Sequence, residues 1–352
     1  MKIRAWFALG LCTLAPLSSL AIEHLFEGDN VTPIGTISIA EQPAGLAWVA
    51  SKWSFSASAS SLNKTYYEVQ EAGFDNQDTP LSIKPMYVAT GKGASWGGWV
   101  LHLQNSEIDF RSKASTSSGG IDSTADLRTK INGLAATIAA GLKLSENWSI
   151  GWGTRLVQLQ QETLVIGKSF DGTDTTLTVQ QSNYQAVLYA LTMGAVMDYP
   201  NVRLGLSLQA PNQMLSETGE MNGRTLTTNG GQYAESKSDY TLNRDQEWRV
   251  NAGVRLGREG STVLLSDAYT SRGDHQPTVG WEYRGREYIW ALSTSYRYYQ
   301  GATNLKFVAG MVSKSENFDW GFGPSYEVDE RSDQGAINSR SWNLLYATEI
   351  RY

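Results

Sequence analysis

The sequence reads as an all-β chain: a transmembrane antiparallel β-barrel of about fourteen strands, with an N-terminal segment folded as a hatch in its lumen. Three observations predict this. First, the last eleven residues alternate: Trp342, Leu344, Tyr346, Thr348, Ile350 and Tyr352 form one face, and Asn343, Leu345, Ala347, Glu349 and Arg351 the other. At a rise of roughly 3.3 Å per residue and a tilt of about 40°, Trp342 and Tyr352 stand roughly 25 Å apart along a barrel axis, the height of a lipid-facing band between two aromatic girdles. Second, the chain opens with export features yet holds no later run of eighteen apolar residues that a membrane helix would need. Third, from Lys52 onward alternating segments are broken by turn residues, and short and long connections take turns.

Taken in order, residues 1–21 form a signal peptide. Lys2 and Arg4 supply the basic region, Trp6 to Leu14 the apolar one, and Ser19-Leu20-Ala21 the small-x-small cleavage site. The only cysteine, Cys12, lies inside this segment, so the exported chain has no disulfide and no thiol chemistry. Residues 22–51 alternate poorly and carry two prolines, Pro33 and Pro43, which argues against a central strand. Their apolar content favours a plug inside the barrel.

The barrel itself is expected over 52–352. Its strands fall at about 52–69, 80–91, 96–112, 123–144, 147–168, 174–199, 202–220, 236–257, 261–272, 276–284, 287–299, 303–313, 318–330 and 339–352. An even count returns both ends to one side, the periplasm. Turns at 92–95, 145–147, 200–201, 258–260, 285–286 and 315–317 are short. Polar loops at 70–79, 113–122, 221–235 and 331–338 fall on the opposite side. Within strands, Leu204, Leu206 and Leu208 should face lipid with Arg203 and Ser207 inward, and Trp290, Leu292 and Tyr296 should face lipid with Arg297 inward. A lipid-exposed Arg near the midplane would cost roughly 2–4 kcal/mol, which forces the inward assignments. Trp53, Trp96, Trp148, Tyr199, Tyr288, Phe318 and Tyr352 gather at the periplasmic ends as one girdle.

The composition excludes several functions. A net charge of −6 without a basic patch argues against nucleic-acid binding. The three histidines, His24, His102 and His275, lack partners at metal-ligand spacing, so neither a metal nor a cofactor is expected. His102 falls on the third strand beside Leu101 and Leu103, with no serine nearer than Ser106, and His275 in a loop; a barrel hydrolase is a weak reading, and the chain is taken as a non-enzyme. Glu107 and Asp109 share a face, where a solvated carboxylate pair is the commoner meaning than acid–base work. Fourteen strands enclose enough space for a passage that a plug of about thirty residues can close, which leaves transport.

Several stretches resemble one family. Gln42-Pro43-Ala44-Gly45-Leu46-Ala47 is similar to the Asn-Pro-Ala-Gly-Leu stretch in the hatch of the long-chain fatty-acid transporter family (the FadL/TodX type), with Gln42 in place of Asn. Val202-Arg203-Leu204-Gly205-Leu206-Ser207-Leu208-Gln209-Ala210-Pro211 resembles that family's Arg-x-Gly-x-Ser-x-x-x-Pro strand. Ala139 to Leu144 with Trp148 to Gly151 is similar to its hairpin of the fourth and fifth strands, and Val250 to Arg255 to a later strand. The shorter outside loops and the Gln104-Asn105-Ser106 sequence, where the family often kinks, mark a divergent member.

The resemblance implies a channel of the outer membrane for hydrophobic small molecules, of long-chain fatty acid or hydrocarbon type. The hatch around Gln42, Pro43, Ala44, Gly45 and Leu46 would gate it. A lateral opening would lie at Gln104, Asn105 and Ser106 and release the ligand towards outer-membrane lipids. An inward arginine, Arg155 or Arg297, could hold a carboxylate head group, although a lumen ion pair is the commoner role. The C-terminal strand is the segment that barrel-assembly machinery would engage. The alternative is a general or polar-solute porin with a constricted lumen.

Overall fold

The computed structural model describes residues 42–48, 53–69, 77–78, 84–118, 121–228, 233–239, 247–258, 260–299, 302–313, 315, 318–331 and 337–351. The signal segment, most of the hatch segment, His24 and Tyr352 lie outside the described residues. Seventeen β-segments form one sheet. Two wall strands are each split in two segments, and Gln77–Asp78 is a two-residue pair beside the first strand, so the wall has fourteen strands.

These strands are β1 (Trp53–Val69), β2 (Lys84–Ala94), β3 (Gly97–Ser118), β4 (Ile121–Lys143), β5 (Trp148–Phe170) and β6 (Thr175–Tyr199). They continue as β7 (Val202–Gln209 with Gln213–Thr227) and β8 (Tyr233–Asp239 with Arg249–Arg258). The remainder are β9 (Ser261–Thr270), β10 (His275–Arg284), β11 (Tyr288–Tyr299), β12 (Ala302–Ser313), β13 (Phe318–Arg331) and β14 (Ile337–Arg351). Each pairs antiparallel with the next, and β14 pairs back onto β1, as in Trp342 opposite Lys64 and Ile350 opposite Phe55. Closure leaves no open edge around the base of the barrel. β7 breaks at Pro211, which has no N–H for the ladder, and its register against β6 shifts between Val187 and Leu188.

The wall is uneven. β3 to β6 are 22 to 25 residues long, whereas β9 to β12 are 10 to 12. A tilted strand of about 9–11 residues crosses a bilayer, so β9 to β12 barely span one and β3 to β6 project well beyond it. Two polar stretches expected as loops are therefore partly strand: 113–118 ends β3, and 221–227 ends β7. Their Ser/Thr-rich sequences lack alternation because both faces of a projecting strand can meet water, which removes the hydrophobic signal while threonine still favours strand.

The outside carries an apolar belt. Leu204, Leu206 and Leu208 on β7 and Trp290, Leu292 and Tyr296 on β11 are exposed, while Ser207 and Ser295 on the opposite face are buried. Trp53, Trp96, Trp148, Tyr199, Tyr288 and Phe318 are all exposed at one and the same end of the barrel. There Trp99 meets Trp53 edge-on at 5.6 Å, and the Lys92 ammonium lies 5.2 Å from the Trp53 ring centre. At the other end Tyr326 and Trp342 are cross-strand partners with ring centres 4.3 Å apart. No soluble barrel needs two such levels; amphipathic rings at two headgroup layers do.

Candidate functional site

The hatch is a short 3₁₀ helix, Pro43–Trp48, whose first five residues are buried inside the barrel. It lies on a row without side chains. In register, Gly93 on β2, Gly98 on β3, Gly141 on β4, Gly151 on β5 and Gly194 on β6 stand opposite one another in turn. Ser207 on β7 and Asn251 on β8 continue the row, with the Asn251 amide donating to the Ser207 hydroxyl at 3.0 Å. A Cβ on Gly98 would lie 2.5 Å from the Leu46 carbonyl oxygen, and one on Gly141 2.6 Å from the Ala47 nitrogen. On Gly151 it would collide with the Pro43–Ala44 peptide, and on Gly194 with the Gln42 amide. Four neighbouring strands thus dispense with side chains so that the helix can rest on their backbones.

Polar contacts then hold the helix. Gln42 donates from Nε2 to the carbonyls of Leu206, at 3.1 Å, and Ala195, at 3.5 Å, reaching two strands at once. Its own carbonyl accepts from the Gly45 amide at 3.1 Å, and Ser149 donates to the Ala44 carbonyl at 3.0 Å. The Gln42 amide thereby spans both strands. Gln42, Pro43, Ala44, Gly45 and Leu46, singled out by sequence, are thus together in one seat; the glycines and Ser149 beneath them were not.

Above this seat the inner face of β3 to β6 changes in two steps. The first is polar. His102 on β3, Thr137 on β4 and Arg155 on β5 share one row, and Arg155 donates to Gln104 Oε1 at 3.0 Å. The second step is apolar: Ile131, Leu159, Tyr184 and Ala186, from three adjacent strands, form a buried cluster with Met214 of β7 packed against it.

At this height the two faces exchange polarity. On β5 the outward residues run Trp148, Ile150, Trp152, Thr154 and Leu156, then Gln158, Gln160 and Glu162; the inward ones run Ser149, Gly151, Gly153 and Arg155, then Val157 and Leu159, with Gln161 next. Across the four strands, Glu107, Asn132, Gln160 and Gln185 make one outward row that is wholly polar. Twelve residues separate Trp148 from Gln160, roughly 30 Å along the axis, where the lipid band should end.

Among the described residues, β3 is paired on its β2 side over only part of its length. Its ladder with β2 runs from Ala94–Gly97 only as far as Tyr87–Gln104. Among the described residues, β3 beyond Gln104 pairs with β4 alone. Gln104 points inward and is buried, and Asn105 points outward and is exposed.

The opposite half of the lumen is ionic. Arg255 meets Glu282 at 2.6 Å, and Arg284 also reaches Glu282. Lys306 lies 3.7 Å from Glu327, which also accepts from Asn304 at 2.6 Å. Arg297 lies 3.7 Å from Asp274 at the outer rim, beside the Glu247–Arg272 pair at 2.7 Å. Of the two arginines considered for a head group, Arg297 thus has a carboxylate partner in the wall, whereas Arg155 lies between hatch and apolar cluster.

Among the described residues, the histidines and the carboxylate pair singled out by sequence stand apart from one another. His102 is an inward, buried side chain, with Leu101 and Leu103 facing out. His275 begins β10 rather than lying in a loop, because its carboxylate partner Asp267, 3.3 Å away, draws it onto the strand pair. Glu107 and Asp109 are on the outside, bridged to Lys130 at 3.9 Å and Arg128 at 3.3 Å. Among the described residues no group of three or more His, Cys, Asp or Glu could hold a metal ion.

No family model matches the sequence, and neither does any curated protein. Solved structures do match. The P. putida toluene transporter TodX superposes with a TM-score of 0.73 at 10% identity, over 94% of this chain and 98% of that one. The Ralstonia pickettii toluene transporter TbuX gives 0.70 at 14% identity, over 94% and 98%. A Pseudomonas aeruginosa FadL homologue gives 0.60 at 10% identity, over 92% and 95%. With its fourteen-stranded wall and its lumenal helix, the chain has the fold of the FadL-type hydrocarbon transporters.

Proposed function

We propose that this protein is an outer-membrane channel for the uptake of hydrophobic small molecules of long-chain fatty acid or hydrocarbon type, gated by the hatch segment 22–51 of a chain exported by the signal at 1–21. The observation that carries the reading is the exchange of polarity on the tall wall. A lumen face that becomes apolar where the outer face leaves lipid offers an apolar solute a dry surface above the membrane, and disfavours ions and polar solutes there. TodX and TbuX, toluene transporters of the same fold, support the same class of solute.

The route follows from the order of surfaces. A ligand would meet the Ile131–Leu159–Tyr184 cluster first. A polar head, where the ligand has one, would pass to Arg155 and Gln104 just below. The hatch on its glycine row blocks the straight way down, and the end of the β2–β3 ladder at Gln104 supports a sideways exit at Gln104, Asn105 and Ser106 into the bilayer. Arg297 is the weaker head-group candidate because Asp274 already neutralises it.

The ionic half of the lumen favours a second reading, a polar-solute porin with a constricted lumen. Uptake of labelled oleate and of toluene into proteoliposomes, run beside ion conductance in planar bilayers, separates the two. The channel reading expects hydrophobic uptake with low conductance. High conductance and no hydrophobic uptake, or a loss of residues 22–51 that raises polar leak without touching hydrophobic uptake, would reject it.

A further inference from the structure

Beside the apolar cluster stands a buried amide that an apolar lining does not explain. In register, Gln161 of β5 stands between Ile131 of β4 and Tyr184 of β6, in the row next to Leu159. All three side chains of its row point inward, and Gln161 is 3% exposed. Its Nε2 donates to the Thr163 hydroxyl at 3.4 Å, and that hydroxyl lies 3.3 Å from the Thr129 hydroxyl. Its Oε1 is buried without a hydrogen-bond donor. Leaving a buried acceptor unsatisfied is destabilising, so a side chain of this kind in a wall that could have been leucine calls for a partner.

We propose that Gln161 is a specificity-determining residue whose Oε1 accepts a hydrogen bond from the ligand, so that the channel selects apolar molecules bearing one O–H or N–H donor, such as phenols and alcohols, over plain hydrocarbons. The inference rests on the channel reading above and names its substrate class. The geometry suits an amphiphile of this kind: Ile131 and Tyr184 flank Gln161 in its row, Leu159 and Ala186 stand in the next, and Met214, half-buried at the edge, is the flexible side chain that can yield to a ligand. A hydrocarbon would fill the same space yet leave Oε1 unpaired, and this asymmetry is the source of discrimination.

The test is equilibrium binding of p-cresol and p-xylene, which differ only by hydroxyl against methyl, to the full-length protein in nanodiscs, with empty nanodiscs as background. The wild type is expected to bind p-cresol about tenfold more tightly than p-xylene after correction for partitioning, the equivalent of about 1.4 kcal/mol. Gln161→Met, apolar and of similar length, is expected to bring the ratio near one, and Gln161→Asn, which keeps an acceptor, to retain a preference. Equal binding of both ligands by the wild type overturns the inference while leaving the channel reading intact, as does an unchanged ratio in Gln161→Met. Binding of neither ligand overturns both. The wild-type ratio decides the matter even if a variant fails to assemble.

Discussion

The tall wall and the short wall of this barrel solve different problems with the same strand geometry. β3 to β6, 22 to 25 residues each, carry the hatch on a row of glycines, then a polar row, then an apolar cluster. β9 to β12, 10 to 12 residues each, only cross the membrane, and with β8 and β13 they face the lumen with ion pairs. Lumenal charge on the short side ties its strands together, adjacent ones through Lys306–Glu327 and β8 to β10 through Arg255–Glu282. Bare backbone and hydrocarbon on the tall side leave surfaces for something else to occupy. The hatch occupies the lower one, and the proposed route places a ligand on the upper.

Breaking the short wall should damage the barrel and spare the hatch. Glu282→Ala strands the buried guanidinium of Arg255, a loss expected to be about 3–5 kcal/mol in urea unfolding from lipid vesicles, with little change in the seating of Trp48 by fluorescence. Breaking the tall wall should do the reverse. Gly151→Val places side-chain atoms where the Pro43–Ala44 peptide lies; overpacking of this kind costs about 1–3 kcal/mol, a shift in hatch docking of roughly 5- to 160-fold, read as a rise in ion conductance. If conductance stays low while the barrel loses stability, the glycine row serves the wall rather than the hatch.

Smaller changes sharpen the contrast. Ser149→Ala removes the donor to the Ala44 carbonyl and should weaken docking by about 1 kcal/mol, with a proportionately smaller rise in conductance. Arg128→Ala, on the wet outer face, breaks an exposed pair with Asp109 and should change stability by less than about 1 kcal/mol in the same urea assay. At the tip of the tall wall, Asp171 accepts backbone N–H groups from Asp174, at 2.7 Å, and Thr173, at 3.0 Å, which hold its carboxyl below its ordinary range. A lowered acid contributes order above the ordinary carboxyl value of about 4 and loses it as pH falls through its own lower value. Amide exchange in that turn should therefore be protected at pH 5 and released under stronger acid, and Asp171→Ala should abolish the difference.

Much of this was legible in the sequence because a membrane enforces alternation. The fourteen strands, the outward Leu204, Leu206 and Leu208, and the inward Ser207 follow from period two alone. The hatch motif at Gln42 to Leu46 was legible as a resemblance. The seat was not: Gly98, Gly141, Gly151 and Gly194 are scattered over nearly a hundred residues, and only strand register brings them into one row. The apolar cluster left a fainter trace. Leu156-Val157 on β5 and Ala186-Val187-Leu188 on β6 are apolar runs that switch the phase of alternation, the signal that the faces trade places above the lipid. The polar stretches 113–118 and 221–227, which carry no apolar alternation, read as loop.

The division of labour between walls is tested most directly by placing the same polar group on each. Leu159→Asn puts an amide into the tall wall's cluster, and Thr278→Asn puts one among the polar side chains of β10. Both variants should be checked as heat-modifiable, folded barrels and then compared for uptake of labelled oleate and toluene into proteoliposomes. The account predicts uptake lowered about 10-fold or more by Leu159→Asn and changed less than about twofold by Thr278→Asn. Equal loss in both, or unimpaired uptake with Leu159→Asn, would contradict it.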